Sequence, residues 1–355
     1  MKKVSIIIII MMFFATKSIS QGCVAIRSNG GYCSMPHGDS SKWQLSISNR
    51  YFRSYKHFIG VDEQTQRQEL GTEVINHQFT SDITLTHQIN ARWSFMIDLP
   101  IESNSRSSLY EHKNVGRYLT HSFGTGDIRF AVYRWLLDPE KASKFNVQAG
   151  LGIKLPTGNY NYQDYFHLTD STTRLGAVDQ SIQLGDGGTG ITFELNTFYT
   201  LSHTTSLYGN FYYLSNPREQ NGTSTARGGT PSASTIKNGS EVMSVPDQFM
   251  IRAGASFKIN AFTTSIGLRE ECLPVWDLIG GSGGFRRPGY IISVEPGVTY
   301  QIKKLNLFAY VPVAWIRNRT QSVPDLITTA QTGKYTHGDA AFADYAVNIG
   351  FSVRF

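Results

Sequence analysis

The chain has 355 residues, a formal charge of +6 and 40% hydrophobic residues. Its mean hydropathy is mildly negative, which excludes a bundle of membrane helices but not a barrel, where only alternate residues meet lipid. Lys2, Lys3 and Lys17 supply half of the charge, so the remaining +3 gives no argument for a nucleic-acid partner.

The N-terminus reads as an export signal. Lys2 and Lys3 precede an apolar run from Val4 to Phe14, and Ser18 and Ser20 stand at the −3 and −1 positions, so cleavage is expected after Ser20. The run is too short to cross a bilayer as a helix. Residues 1–20 are thus the signal peptide, 21–41 an N-terminal periplasmic or plug segment, and 42–355 the folded domain. Cys23 and Cys33 bracket Asn29-Gly30-Gly31, which can turn the chain back. In an oxidising compartment this spacing favours a disulfide, with free thiols or lipidation of Cys23 as alternatives. Ser20-Gln21-Gly22 lacks the large aliphatic residue that a lipidation motif has. Cys272 falls late in a strand, as an unpaired wall or loop-edge residue.

From Trp43 onward, apolar residues recur at every second position, the period of a strand with one wet face. Trp43, Leu45, Ile47 and Tyr51 form the first run. The segments 79–89 and 93–101 make a hairpin across Asn90-Ala91, and further strands are expected at 127–137, 145–155, 190–201, 205–214, 247–259, 262–273, 288–302 and 304–317. The last, 343–355, carries Tyr345, Val347, Ile349, Phe351, Val353 and the terminal Phe355 on one face. That is the pattern of a closing barrel strand whose terminal aromatic acts as an assembly signal; the bland reading is the edge strand of a soluble sandwich.

Connection lengths decide between them. Short turns at 90–91, 138–144, 202–205, 260–261 and 303–304 alternate with long connections at 54–73, 103–120, 157–188, 215–246, 277–287 and 318–341. A sandwich has no reason to keep every long loop at one end, whereas short periplasmic turns and long extracellular loops produce this alternation. Aromatics such as Trp43, Tyr51, Trp93, Tyr290, Tyr300 and Trp315 fall near strand ends, where interfacial girdles lie. No helix-period segment of convincing length appears. The expected fold is all-β, a transmembrane antiparallel up-and-down β-barrel of about 12 strands in the outer membrane of a Gram-negative bacterium. Its expected surroundings are outer-membrane lipid and lipopolysaccharide, and the barrel-assembly machinery.

With the apolar faces outward, Arg50, Asp82, Asp98, Arg129, Lys154, Glu194, Arg252, Lys258, Arg269, Glu295, Asp344 and Arg354 point into the lumen. Both signs occur, so the set suits either a hydrated path for a small-molecule solute or a self-satisfied interior. No catalytic constellation stands out. A lipid hydrolase on the wall would need a Ser–His pair, and His77, His87, His121, His203 and Ser215-Asn216 show no such spacing. The histidines are scattered and no Cys-x-x-Cys occurs, so neither metal nor cofactor is expected. Gly185-Asp186-Gly187-Gly188-Thr189-Gly190 precedes no helix and is a loop reaching a strand rather than a phosphate cradle. The remaining reading is an adhesive or structural barrel with a blocked lumen.

Two stretches resemble an outer-membrane family named for the MetA-pathway of phenol degradation. They are GTGDIRFAVYRWLL (Gly124 to Leu137) and GLGIKLPTGNY (Gly150 to Tyr160). The resemblance implies a barrel that transports aromatic or other hydrophobic compounds across the outer membrane. From the residues alone, both motifs are strand-end architecture: Gly124 and Gly126 permit a bulge, Asp127 faces the lumen, and Pro156 and Gly158 end a strand.

Overall fold

The computed structural model describes residues 41–355. The signal peptide, Cys23, Cys33 and nearly all of the 21–41 segment lie outside the described residues. Twelve wall strands follow one another around an antiparallel barrel. They are β1 (Trp43–Ile59), β2 (Ile75–Gln88), β3 (Trp93–Ser108), β4 (Tyr118–Thr125, resuming as Arg129–Trp135), β5 (Phe145–Lys154) and β6 (Gly190–Thr200). There follow β7 (Thr205–Ser215), β8 (Gln248–Ile259), β9 (Phe262–Leu273), β10 (Gly289–Ile302), β11 (Leu305–Tyr310, resuming as Val313–Arg319) and β12 (Ala340–Arg354).

Closure is made by β1 and β12, which pair from Gln44↔Arg354 to Phe58↔Ala340. At the turn end, Trp43 and Phe355 exchange both backbone hydrogen bonds at 3.0 Å. Closure removes the sheet edges, which hydrocarbon could not solvate. The alternation read from the sequence then sorts the side chains. Leu151, Ile191, Leu268 and Ile349 are exposed on the outer wall, while Thr84, Asp98, Glu194 and Arg252 are buried inside. Aromatics mark both ends of the apolar belt. At the turn end Phe262 meets Tyr300 with ring centroids 4.4 Å apart, and Arg134 lies 5.2 Å from the centre of the Trp93 ring.

Three strands are taller than the pattern suggested. β1, β2 and β3 have 17, 14 and 16 residues, beyond the roughly 9–11 that span a bilayer. Half of the connection expected at 103–120 is strand: Tyr118–Thr125 pairs with the outer half of β3. The free edge of this segment faces a small hairpin (Gln163–His167 with Thr173–Ala177), whose Asp164 accepts the His121 N–H at 2.7 Å. A helix that the sequence reading missed, Val323–Thr332, follows Ser322. There Ser322 and Asp325 form a capping box, with Pro324 in the first turn.

β4 carries a one-residue irregularity. Ile101 pairs Thr125 and Asp98 pairs Arg129, so four steps on β4 match three on β3. The extra residue falls within Gly126-Asp127-Ile128, as in a β-bulge. Elsewhere inward glycines receive aromatic rings. A Cβ on Gly150 would lie 2.4 Å from the Tyr133 ring, and one on Gly297 would lie 2.1 Å from Tyr310. Each ring therefore lies flat over the neighbouring strand, and the Tyr133 hydroxyl donates to Glu194 at 2.9 Å. Replacing Gly150 with Val should lift Tyr133 from the wall, break that bond and cost about 1–3 kcal/mol. Urea unfolding followed by tryptophan fluorescence in micelles checks this; an unchanged midpoint would refute the packing role.

Candidate functional site

The residues assigned to the lumen fall into several groups. Arg129 bridges Glu194 at 2.7 Å and Asp98 at 3.8 Å, and Asp98 also accepts the Thr84 hydroxyl at 2.8 Å. Across the barrel, Glu295 receives Arg252 at 3.0 Å and Arg269 at 3.1 Å, and Arg269 also reaches Glu271 at 2.8 Å. These buried charges are compensated by partners, as a low-dielectric interior requires. Arg50, Asp82 and Arg354 are buried on the inner face of the same wall, and Arg354 donates to Gln44 at 3.2 Å. Lys258 is exposed at the turn-end mouth. Asp344 is 30% exposed, and it pins Tyr55, Lys56 and Arg317 at the closure seam.

The two glycine-rich motifs meet. Asp127 accepts the Gly158 N–H at 2.9 Å and the Lys154 ammonium at 3.1 Å. Thr157 accepts the Ile128 N–H at 2.9 Å and donates to the Gly126 carbonyl at 3.0 Å. The bulge in β4 and the strand exit after β5 are thus one knot. A loop lies on it: Lys154 also reaches Asp186 and the Gly188 carbonyl. Side chains at Gly158 or Gly185 would collide with that packing, since a Cβ would lie 2.4 Å from the Leu184 carbonyl oxygen or 2.5 Å from Asp127.

Connections 157–188 and 215–246 both fold into the outer half of the lumen and touch. Val178, Ile182 and Val245 are fully buried, and Gln180 donates to the Ser244 carbonyl at 2.9 Å. Asp179 fastens the first of these loops. Arg287 holds it with two bonds of 2.8 and 2.6 Å, and Arg106 approaches at 3.5 Å. Arg106 also grips Glu111 at 3.0 Å, and Arg227 reaches the same carboxylate at 2.7 Å. Burial alone would raise the Asp179 pKa, but Arg106 and Arg287 hold this carboxyl well below its usual range. Burial likewise opposes ionisation of Glu111, and Arg106 and Arg227 outweigh it.

Two spaces lie beside this latch. An inner cavity of about 140 Å³ lies between the wall and the inward loops. An outer one of about 270 Å³ lies beside His57, Arg67, Tyr110 and Asp339. Arg287 lines both. Asp179, Arg287, Arg106, Glu111 and Arg227 were absent from the sequence-based set because they sit where no strand period was visible. The histidines considered for hydrolysis lie apart. His77 bonds the Tyr51 hydroxyl at 2.7 Å on the outer wall, His87 packs on Trp43, and His203 is in an exposed turn.

No family model and no curated protein matches this chain, so the family resemblance rests on the two motifs. Among solved structures, the COG4313 outer membrane channel from Pseudomonas putida F1 is similar with TM-score 0.59. That match covers 93% of this chain and 100% of the other at 9% identity. The translocator domain of autotransporter NalP from Neisseria meningitidis gives TM-score 0.45, with 10% identity over 91% of each chain. The Pseudomonas putida toluene transporter TodX gives 0.44, with 8% identity over 95% of this chain and 96% of the other. At such identities the likeness is one of fold.

The latch should hold in mild acid. The folded pKa values of Asp179 and Glu111 are depressed, so their stabilisation is complete above the ordinary carboxylate value of about 4. It is lost only as the pH falls through the lower folded values. Amide exchange of residues 178–188, corrected for intrinsic rates, should therefore stay protected between about pH 7 and pH 5. Asp179→Asn should raise exchange there at least about tenfold at neutral pH, because the arginines lose their buried counter-charge. Equal protection in the variant would refute the latch.

Proposed function

We propose that the protein is an outer-membrane channel for passive uptake of small hydrophobic molecules, aromatic ones included. Two cavities inside a closed barrel, both lined by Arg287 of the latch, carry this reading. An interior that only filled itself would need no such spaces. The lipid-facing belt suits outer-membrane lipid and lipopolysaccharide, and the fold shared with an outer membrane channel supports the location. Phe355, exposed beside Trp43 at the seam, is the residue offered to the barrel-assembly machinery.

A second reading has its own observation. Arg287, which lines both cavities, is held by two bonds to Asp179, and a pair fixed in this way suits an adhesive or structural barrel with a blocked lumen. The channel reading treats the pair as a gate. Planar-bilayer recordings and solute uptake into liposomes distinguish the two. The intact protein should show rare, brief openings, and Asp179→Asn sustained ones with uptake raised about tenfold or more, since a lost buried counter-charge is worth several kcal/mol. A correctly folded variant that neither conducts nor passes solute would favour the structural reading.

A further inference from the structure

The inner cavity has two unlike walls. From β1 to β4 it receives Arg50, Thr80, Asp98, Glu102 and Arg129. Facing them, Tyr212, Leu214 and Leu273 project from β7 and β9 on either side of Gln248 of β8, and Met243 and Pro246 come from an inward loop. In the strand order, β2 and β8 stand half a circumference apart, so the division runs across the lumen. A lumen wall is ordinarily polar, which makes the buried apolar patch on β7 and β9 the unexpected half. Leu214 and Tyr212 continue it downward onto Met250.

The size and charge of the space narrow what could fill it. An apolar protein cavity of about 150 Å³ accommodates benzene, and this one is about 140 Å³. Four cationic side chains (Arg50, Arg129, Lys154 and Arg287) and four anionic ones (Asp98, Glu102, Asp127 and Asp186) line it. Arg129, Lys154 and Arg287 are engaged by carboxylates at 2.7, 3.1 and 2.6 Å. A charged guest would compete with those pairs. A hydroxyl or amide can hydrogen-bond beside them without displacing a charge.

We infer that the inner cavity is a binding station for a small amphiphile, with an apolar body about one ring in size and an uncharged hydrogen-bonding head. The body lies on Leu214, Leu273 and Met243, and the head turns toward Thr80 and its charged neighbours. A pure hydrocarbon would satisfy one wall and desolvate the other. A carboxylate or an ammonium would break the charge balance. The inference rests on the channel reading for its purpose, but the station exists or fails as a matter of binding.

The test is calorimetric titration of the folded full-length barrel in detergent with three probes: benzyl alcohol, toluene and benzoate. Empty detergent micelles provide the baseline. Benzyl alcohol should bind at least about tenfold tighter than either of the others, and Thr80→Val should erase about a tenfold advantage over toluene. Leu214→Asn should weaken benzyl alcohol and toluene together, with folding verified by heat-dependent gel mobility. Equal affinity for all three probes, no saturable binding, or a benzyl alcohol preference untouched by Thr80→Val would each overturn the station. Liposome uptake of the same probes separates the two readings. Binding without passage would sink the channel and leave the station, and passage without the binding preference would do the reverse.

Discussion

A backbone in hydrocarbon has no water to turn to, and this requirement organises the rest of the molecule. Every wall strand is held by its neighbours, and the ring is completed where β12 meets β1, down to the reciprocal bonds of Trp43 and Phe355. Once the ring is closed, strand pleating leaves each side chain two destinations. Apolar side chains go to the lipid and polar ones go inward, the reverse of a soluble domain. Hydrophobic clusters among the fully buried residues are accordingly small, such as Met96, Ala131 and Tyr133. The fold is carried by ladder bonds and by the surrounding lipid rather than by an oily centre.

That inversion creates the electrostatic problem which the interior then solves. Charges forced inside must find partners: Glu194 takes Arg129 from β4, two strands away, and Glu295 takes Arg269 from the adjacent β9 and Arg252 from β8 beyond it. The same chemistry serves a different end in the outer half. There Lys154 and Arg106 tie the 157–188 connection to the wall, while Asp179–Arg287 and Glu111–Arg227 tie long connections to one another. The loops at the mouth are thereby held together, with two defined spaces beside the latch.

Legibility in the sequence followed the membrane. Where strands cross lipid, one face must be apolar, and the alternation at Phe145 to Leu155 or Tyr345 to Phe355 could be read directly. Beyond the bilayer both faces of a strand are wet. Ser54, Tyr55 and Lys56 on β1, and Ser103 to Ser108 on β3, consequently looked like loop although they continue the ladder. The helix after Ser322 carried a cue in its Ser-Val-Pro-Asp start and in Val323, Leu326, Ile327 and Ala330 at helical spacing, but at ten residues it was short enough to be read as loop. Of the site, Asp98, Arg129, Lys154 and Glu194 were visible because they hold the polar alternate positions of a strand. Asp179 and Arg287 were not, since a loop residue's partner is fixed by a fold-back that leaves no period in the chain.

The irregularity at Gly126-Asp127-Ile128 has a consequence for phase. Before it, the even-numbered Thr120 and Ser122 are buried and the odd-numbered Leu119 and Phe123 exposed; after it, the odd-numbered Arg129, Ala131 and Tyr133 are the buried ones. The extra residue works as a parity switch, letting one strand keep its wet side inward along its whole height. Because the repeat is two, deleting any single residue there would turn one half of the strand inside out against its partner. Phe123 and Leu119 would then enter the lumen, while Ser122 would leave the Ile182 carbonyl it now holds. Coding for the loop's anchorage thus resides partly in a count of residues, which no side-chain inventory of the motif would reveal.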